Sequence, residues 1–124
     1  MQNTPFRFGP IALTTTLTTN LLNPATATGG VNGGSAAQYI VLKHLRILNK
    51  TAGAVTFSLW IGATGANAAG TEFWGTAMSI AANSYVDYYG YVLLTSTDFL
   101  VGGASANTSL TIQGEGEIGV ALKA

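Results

Sequence analysis

Residues 55–61 read VTFSLWI, placing Phe57, Leu59 and Ile61 on one side of an extended chain and Thr56, Ser58 and Trp60 on the other. This period of two predicts a strand with one face in a core. The preceding run, residues 39–49 (YIVLKHLRILN), is apolar on both faces apart from Lys43, His44 and Arg46. It predicts a central strand whose charged side chains emerge near a sheet rim or at a partner surface. Between the two lies Lys50-Thr51-Ala52-Gly53-Ala54. This short break of small and polar residues predicts a hairpin, with Gly53 available for a positive φ.

The same pattern continues elsewhere. The Thr-rich residues 11–19 predict an edge strand, since β-branched residues favour pleated structure. Residues 23–38, with Gly29-Gly30 and Gly33-Gly34, and the Gly/Ala-rich residues 62–70 predict loops. Residues 71–78 predict a strand, and residues 80–84 a turn. Residues 84–94 (SYVDYYGYVLL) predict an aromatic strand in which Gly90 marks a bulge, bend or turn. Ser96-Thr97-Asp98 predicts a turn or cap, with room for one helical turn over residues 99–101 before Gly102-Gly103. Residues 110–112 and 118–122 alternate on either side of residues 114–116, predicting a closing hairpin. No segment sustains a period of 3.6 residues. About eight short strands with glycine-rich turns predict an all-β fold: an antiparallel β-sandwich, with a jelly roll as one option. Residues 11–124 form one domain in this reading. Residues 1–10 precede it as either a frayed end or an extended arm, with Phe6 and Phe8 on one side.

Composition narrows the partners. Only 8% of the 124 residues are charged and the formal net charge is zero, against about 25% charged in an ordinary soluble domain. A bland surface of this kind is easiest to explain if other subunits cover much of it. It lacks the basic stripe that nucleic acid requires. No apolar run reaches the length of a membrane span, and the first residues lack the pattern of a signal peptide. The expectation is an intracellular product, or one that leaves the cell inside a larger particle. There are no cysteines.

Catalytic chemistry is sparse. His44 is the only histidine, G-x-S-x-G is absent, and no carboxylate stands near His44 in sequence. Lys43 and Arg46 disfavour an imidazolium if they lie close to it, and a strand histidine making one structural hydrogen bond is expected rather than a general base. No metal-ligand cluster is expected, and residues 62–72 lack the Gly-Lys-Ser/Thr of a P-loop. Glu115 and Glu117 flank Gly116 and are expected to face solvent, seat a cation or meet an arginine such as Arg7 of another subunit. The expectation is no enzyme and no cofactor. Tyr85, Asp87 and Tyr89 share one strand face, which suits sugar binding or, more commonly, a subunit interface. The tyrosines Tyr85, Tyr88, Tyr89 and Tyr91 are the candidate subunit interface. Phe6, Arg7 and Phe8 are the candidate contact with a partner.

Residues 39–65 (YIVLKHLRILNKTAGAVTFSLWIGATG) and 93–120 (LLTSTDFLVGGASANTSLTIQGEGEIGV) resemble a strand, Asn-Lys-Thr turn, strand unit and a closing section of small bacteriophage virion proteins. The likeness covers about residues 39–120 and rests on turns and strands. It implies a head decoration (cement) protein, a head fibre or a minor tail component. For the first, the resemblance implies a homotrimer that binds the major capsid protein on the outside of the head and stabilises it. The alternative is a tail or fibre module that binds carbohydrate, for which Tyr85, Tyr89 or Trp74 would serve.

Overall fold

A computed structural model of the protein describes residues 2–29, 35–63, 65 and 69–120. The chain forms β1 (Gln2–Ala12), β2 (Asn20–Leu22), β3 (Thr28–Gly29), β4 (Ser35–Asn49), β5 (Val55–Gly62), β6 (Glu72–Ile80), β7 (Ser84–Leu94), β8 (Phe99–Ala104) and β9 (Leu110–Val120), with a 3₁₀ turn at Pro24–Thr26. One sheet runs β1-β9-β4-β7, with the two-residue β3 beside the start of β4; the other runs β2-β8-β5-β6. All pairings are antiparallel. They nest from the chain's ends inward, β1 on β9, β2 on β8, β4 on β7 and β5 on β6. One long hairpin rolled into two sheets has this pairing, which is the wrap of a jelly roll.

The core lies between the sheets. Ile40, Leu42, Leu45 and Ile47 of β4 meet Phe57 and Leu59 of β5, with Leu100, Ile112 and Ile118 filling the layer. Phe57 and Leu59 of β5 face the core as predicted, but Ser58 and Trp60 on the other face are buried as well and Ile61 is half-buried. β4 is an interior strand flanked by β9 and β7.

Five local expectations are overturned. Residues 50–54 do not close a hairpin: β4 and β5 lie in different sheets, because both edges of β4 already carry other strands. The described part of the predicted arm, residues 2–10, is not an arm. Residues 2–12 form β1, an edge strand zipped onto β9, with Phe8 buried and Phe6 packed on the core. The edge strand predicted over residues 11–19 therefore ends at Ala12. Beyond it Leu13 is fully buried, and the backbone of Thr14 and Thr19 bonds to β8. Residues 99–103 are extended rather than helical. Gly102 and Gly103 sit inside β8, where a Cβ would lie 2.2 Å from the Ser58 carbonyl oxygen and 2.5 Å from that of Thr14. Finally, residues 114–116 do not turn but belong to the unbroken β9.

The loop predicted over residues 23–38 is partly regular, since Asn23 caps the 3₁₀ turn by accepting from the Ala25 N–H at 3.0 Å. Its glycine-rich part at 30–34 lies outside the described residues, as do residues 64 and 66–68 of the following loop. Gly90 is a bulge. Tyr89 opposes His44 and Val92 opposes Leu42, so β7 carries one extra residue there.

Candidate functional site

The strand order puts one row of polar side chains on the outer face of the β1-β9-β4-β7 sheet. Directly opposed residues on neighbouring strands share a face. Arg7, Glu115 and His44 stand in register with Tyr89; Gln113 and Arg46 stand in register with Asp87. Of the five basic and five acidic residues in the chain, Arg7, Lys43, Arg46, Asp87, Glu115 and Glu117 occupy this face. A nearly chargeless molecule thus gathers most of its charge on one surface.

At its centre His44 lies between two carboxylates. Its Nε2 is 3.0 Å from Asp87 Oδ1 and its Nδ1 is 2.7 Å from Glu115 Oε1. A neutral imidazole has one donor and one acceptor nitrogen, so only the imidazolium donates to both partners. The ring also stacks on Tyr89, with centroids 4.7 Å apart. Asp87 accepts two further bonds from Arg46, Nε to Oδ1 at 2.8 Å and Nη2 to Oδ2 at 3.0 Å. Arg46 in turn sits 4.2 Å from the centroid of Tyr85, a cation–π contact. Lys43 pairs with Glu117 at 3.2 Å.

These contacts reverse the expectation for His44. Hydrogen bonding to Asp87, reinforced by Glu115, outweighs burial and raises its pKa above the ordinary 6.5. Sequence proximity of Lys43 and Arg46 misled, because Lys43 turns to Glu117 and Arg46 is offset by Asp87, the carboxylate it shares with His44. Asp87 is held down to about 2, first by Arg46, with His44 adding and burial opposing. Neither carboxylate lies within 40 residues of His44 in sequence, and only the register of β4 brings them together.

Opposite signs give a stability plateau. A raised His44 pKa contributes stability that is complete below 6.5 and lost as pH rises through the folded value. A depressed Asp87 pKa contributes stability present above 3.8 and lost as pH falls toward 2. Unfolding free energy is therefore expected to be greatest between those ordinary values. Asp87→Asn should cost about 1 kcal/mol, because solvent screens its pairing with the partly exposed Arg46, and should flatten the acid limb. Urea titrations across pH check both, and the His44 ring signals should titrate at lower pH in the variant.

The tyrosines divide. Tyr85, Tyr89 and Tyr91 are 51%, 72% and 70% exposed, and with Leu93 they form a row along the edge strand β7. Plain alternation along β7 keeps Tyr85, Tyr89, Tyr91 and Leu93 on the same outer face, with Val92 and Leu94 buried on the other. Tyr88 does not belong with them. Alternation turns it inward, where it packs edge-on against Phe73 and beside Trp74. Trp74 is likewise removed from the candidate sugar contacts, since it packs against Phe57 and Tyr88. Of the candidate partner contacts, Phe6 and Phe8 face the core and only Arg7 is exposed.

Beside His44 lies a depression of about 200 Å³ lined by Arg7, His44, Arg46, Gln113, Gly114 and Glu115. Both ring nitrogens of His44 are committed to carboxylates, which leaves none to accept a proton from a hydroxyl nucleophile. Among the described residues, no group of three or more His, Asp and Glu side chains could hold a metal ion. No helix among them is long and apolar enough to cross a membrane. No family model matches the chain, and no curated protein matches it.

Proposed function

We propose that this protein is a structural component of a bacteriophage virion, a decoration (cement) protein that binds the outside of the head. The observation that carries this is the exposed row of Tyr85, Tyr89, Tyr91 and Leu93 on the free edge of one sheet. Tyrosine supplies contact area and a hydroxyl at little entropic cost, which suits a protein interface. The low charge of the remaining surface and the resemblance of residues 39–120 support the same reading.

In this role the protein is neither an enzyme nor a nucleic-acid or membrane binder, and it works mechanically. Copies associate as a homotrimer through the tyrosine row and contact several major capsid protein subunits at once. Many weak contacts sum to high avidity. Binding only the assembled lattice stabilises that state by linkage. Light scattering is expected to give a trimer of the 12.7 kDa chain, which Tyr89→Glu with Tyr91→Glu dissociates without lowering the melting temperature of the monomer. Mass spectrometry of virions carrying this gene is expected to find hundreds of copies per particle. Its absence from the particle would overturn the assignment.

A tail- or fibre-associated module that binds carbohydrate is the second reading, favoured by the 72% exposure of Tyr89 beside polar groups. A handful of copies per particle, with glycan-array hits abolished by Tyr89→Ala, would select it.

A further inference from the structure

The depression beside His44 is ringed by hydrogen-bond donors that the fold leaves unused. Arg7 makes no hydrogen bond or ion pair among the described residues. Arg46 gives Nε and Nη2 to Asp87, so Nη1 remains. The side-chain amide of Gln113 also has no partner among the described residues. All three line the same space, whose volume of about 200 Å³ admits one small group.

The charges agree with the donors. Arg7, Arg46 and a protonated His44 stand against Glu115, which shares the depression, and Asp87, which stands behind it. Their sum is positive with the imidazolium and zero with the imidazole. The other charged or titratable groups facing this cluster are Lys43 and Glu117, which neutralise each other, and Tyr85 and Tyr89, which stack on Arg46 and His44.

We propose that the depression between β1, β9 and β4 binds a single carboxylate, that of an Asp or Glu side chain on the docking partner, and that protonation of His44 gates it. The carboxylate would lie across Arg7, the free Nη1 of Arg46 and the Gln113 amide, in the charge-assisted geometry that arginine provides. Its assignment to a protein partner rests on the proposed docking role; the site itself does not. A sugar acid fits less well. One ring face of Tyr89 is covered by His44 and one face of Tyr85 by Arg46, and Asp87 already accepts three hydrogen bonds from its own neighbours.

The test is an NMR titration of the purified chain with sodium acetate, against sodium chloride at equal ionic strength. It is run on both sides of the His44 midpoint measured in the same spectra. Acetate is expected to produce saturable shifts at Arg7, Gln113 and Gly114, at least about threefold weaker on the alkaline side. Arg7→Gln, an exposed change, should abolish them while leaving the rest of the spectrum in place. In His44→Gln the affinity should no longer depend on pH. Equal shifts with chloride, or unaltered shifts in Arg7→Gln, would overturn the site; equal affinity on both sides of the midpoint would overturn the gate. Glucuronate binding about tenfold tighter than acetate would overturn the protein source of the carboxylate. None of these readouts needs a virion, so the site stands or falls independently of the docking role.

Discussion

Gly116→Ala is expected to destabilise the fold by about 4 kcal/mol or more, enough to leave a domain of this size largely unfolded at 37 °C. A Cβ at this position would lie 1.9 Å from the Val41 carbonyl oxygen and 2.9 Å from Leu42 Cα. Both are backbone atoms of the neighbouring interior strand, so no side-chain rotation relieves the overlap. Gly116 faces Leu42 on one side and Phe6 on the other. Displacing β9 therefore disturbs β1 and β4 together. Overpacking against movable side chains costs about 1–3 kcal/mol, and a clash with two ladders costs more. Gly53→Ala is the control. Nothing lies within 4 Å of a Cβ there, and reduced freedom of the unfolded chain should make the change neutral or stabilising by about 0.5 kcal/mol. Urea unfolding of the two variants decides the matter. A Gly116→Ala midpoint near that of the parent chain would mean that β9 and β4 are not so closely apposed.

The same glycine shows where the sequence is legible and where it is not. Alternation of Phe57, Leu59 and Ile61, and of Leu110 and Ile112, is a local property, and the strands and the sandwich class follow from it. A glycine is ambiguous, because a turn and a close backbone approach select for the same missing side chain. Gly114 and Gly116 read as a turn, yet they are the places where β9 passes beneath the carbonyls of His44 and Val41. The candidate site was half legible for a related reason. Tyr85, Asp87 and Tyr89 share a face by simple alternation. The partnership of Asp87 and Glu115 with His44 depends on β4 lying between β7 and β9, an order that periodicity does not carry. The exposed Arg7 was found, but its two phenylalanine neighbours pack on the core, because a sheet edge was available to the segment that resembled an arm.

The corner at residues 49–54 yields the second large effect. Asn49→Ala is expected to cost about 3 kcal/mol. Asn49 has no exposed surface. Its Nδ2 donates to the carbonyls of Gly53, Ile80 and Ala81 at 3.0, 3.0 and 3.2 Å. Its Oδ1 accepts from the N–H and the hydroxyl of Thr51, at 2.9 and 2.7 Å. One amide thus ties the passage from β4 to β5 to the turn between β6 and β7, at the end of the sandwich where the chain changes sheets. Alanine removes the donor to the buried Ile80 carbonyl and the acceptor for the Thr51 N–H, and opens a small void. An unmade buried bond and a void each add about 1–3 kcal/mol. Asn49→Asp should be worse, since a carboxylate oxygen would then face those carbonyls in place of the amide donor. Thr51→Val removes one hydroxyl and should cost only about 1 kcal/mol. Denaturant midpoints at unchanged m-value give the global effect. Amide exchange at Asn83, whose N–H donates to Thr51 at 3.0 Å, reports the corner itself and should accelerate in Asn49→Ala far more than in Thr51→Val. Equal exchange in the two would show that the two turns are held independently, by their backbone bonds alone.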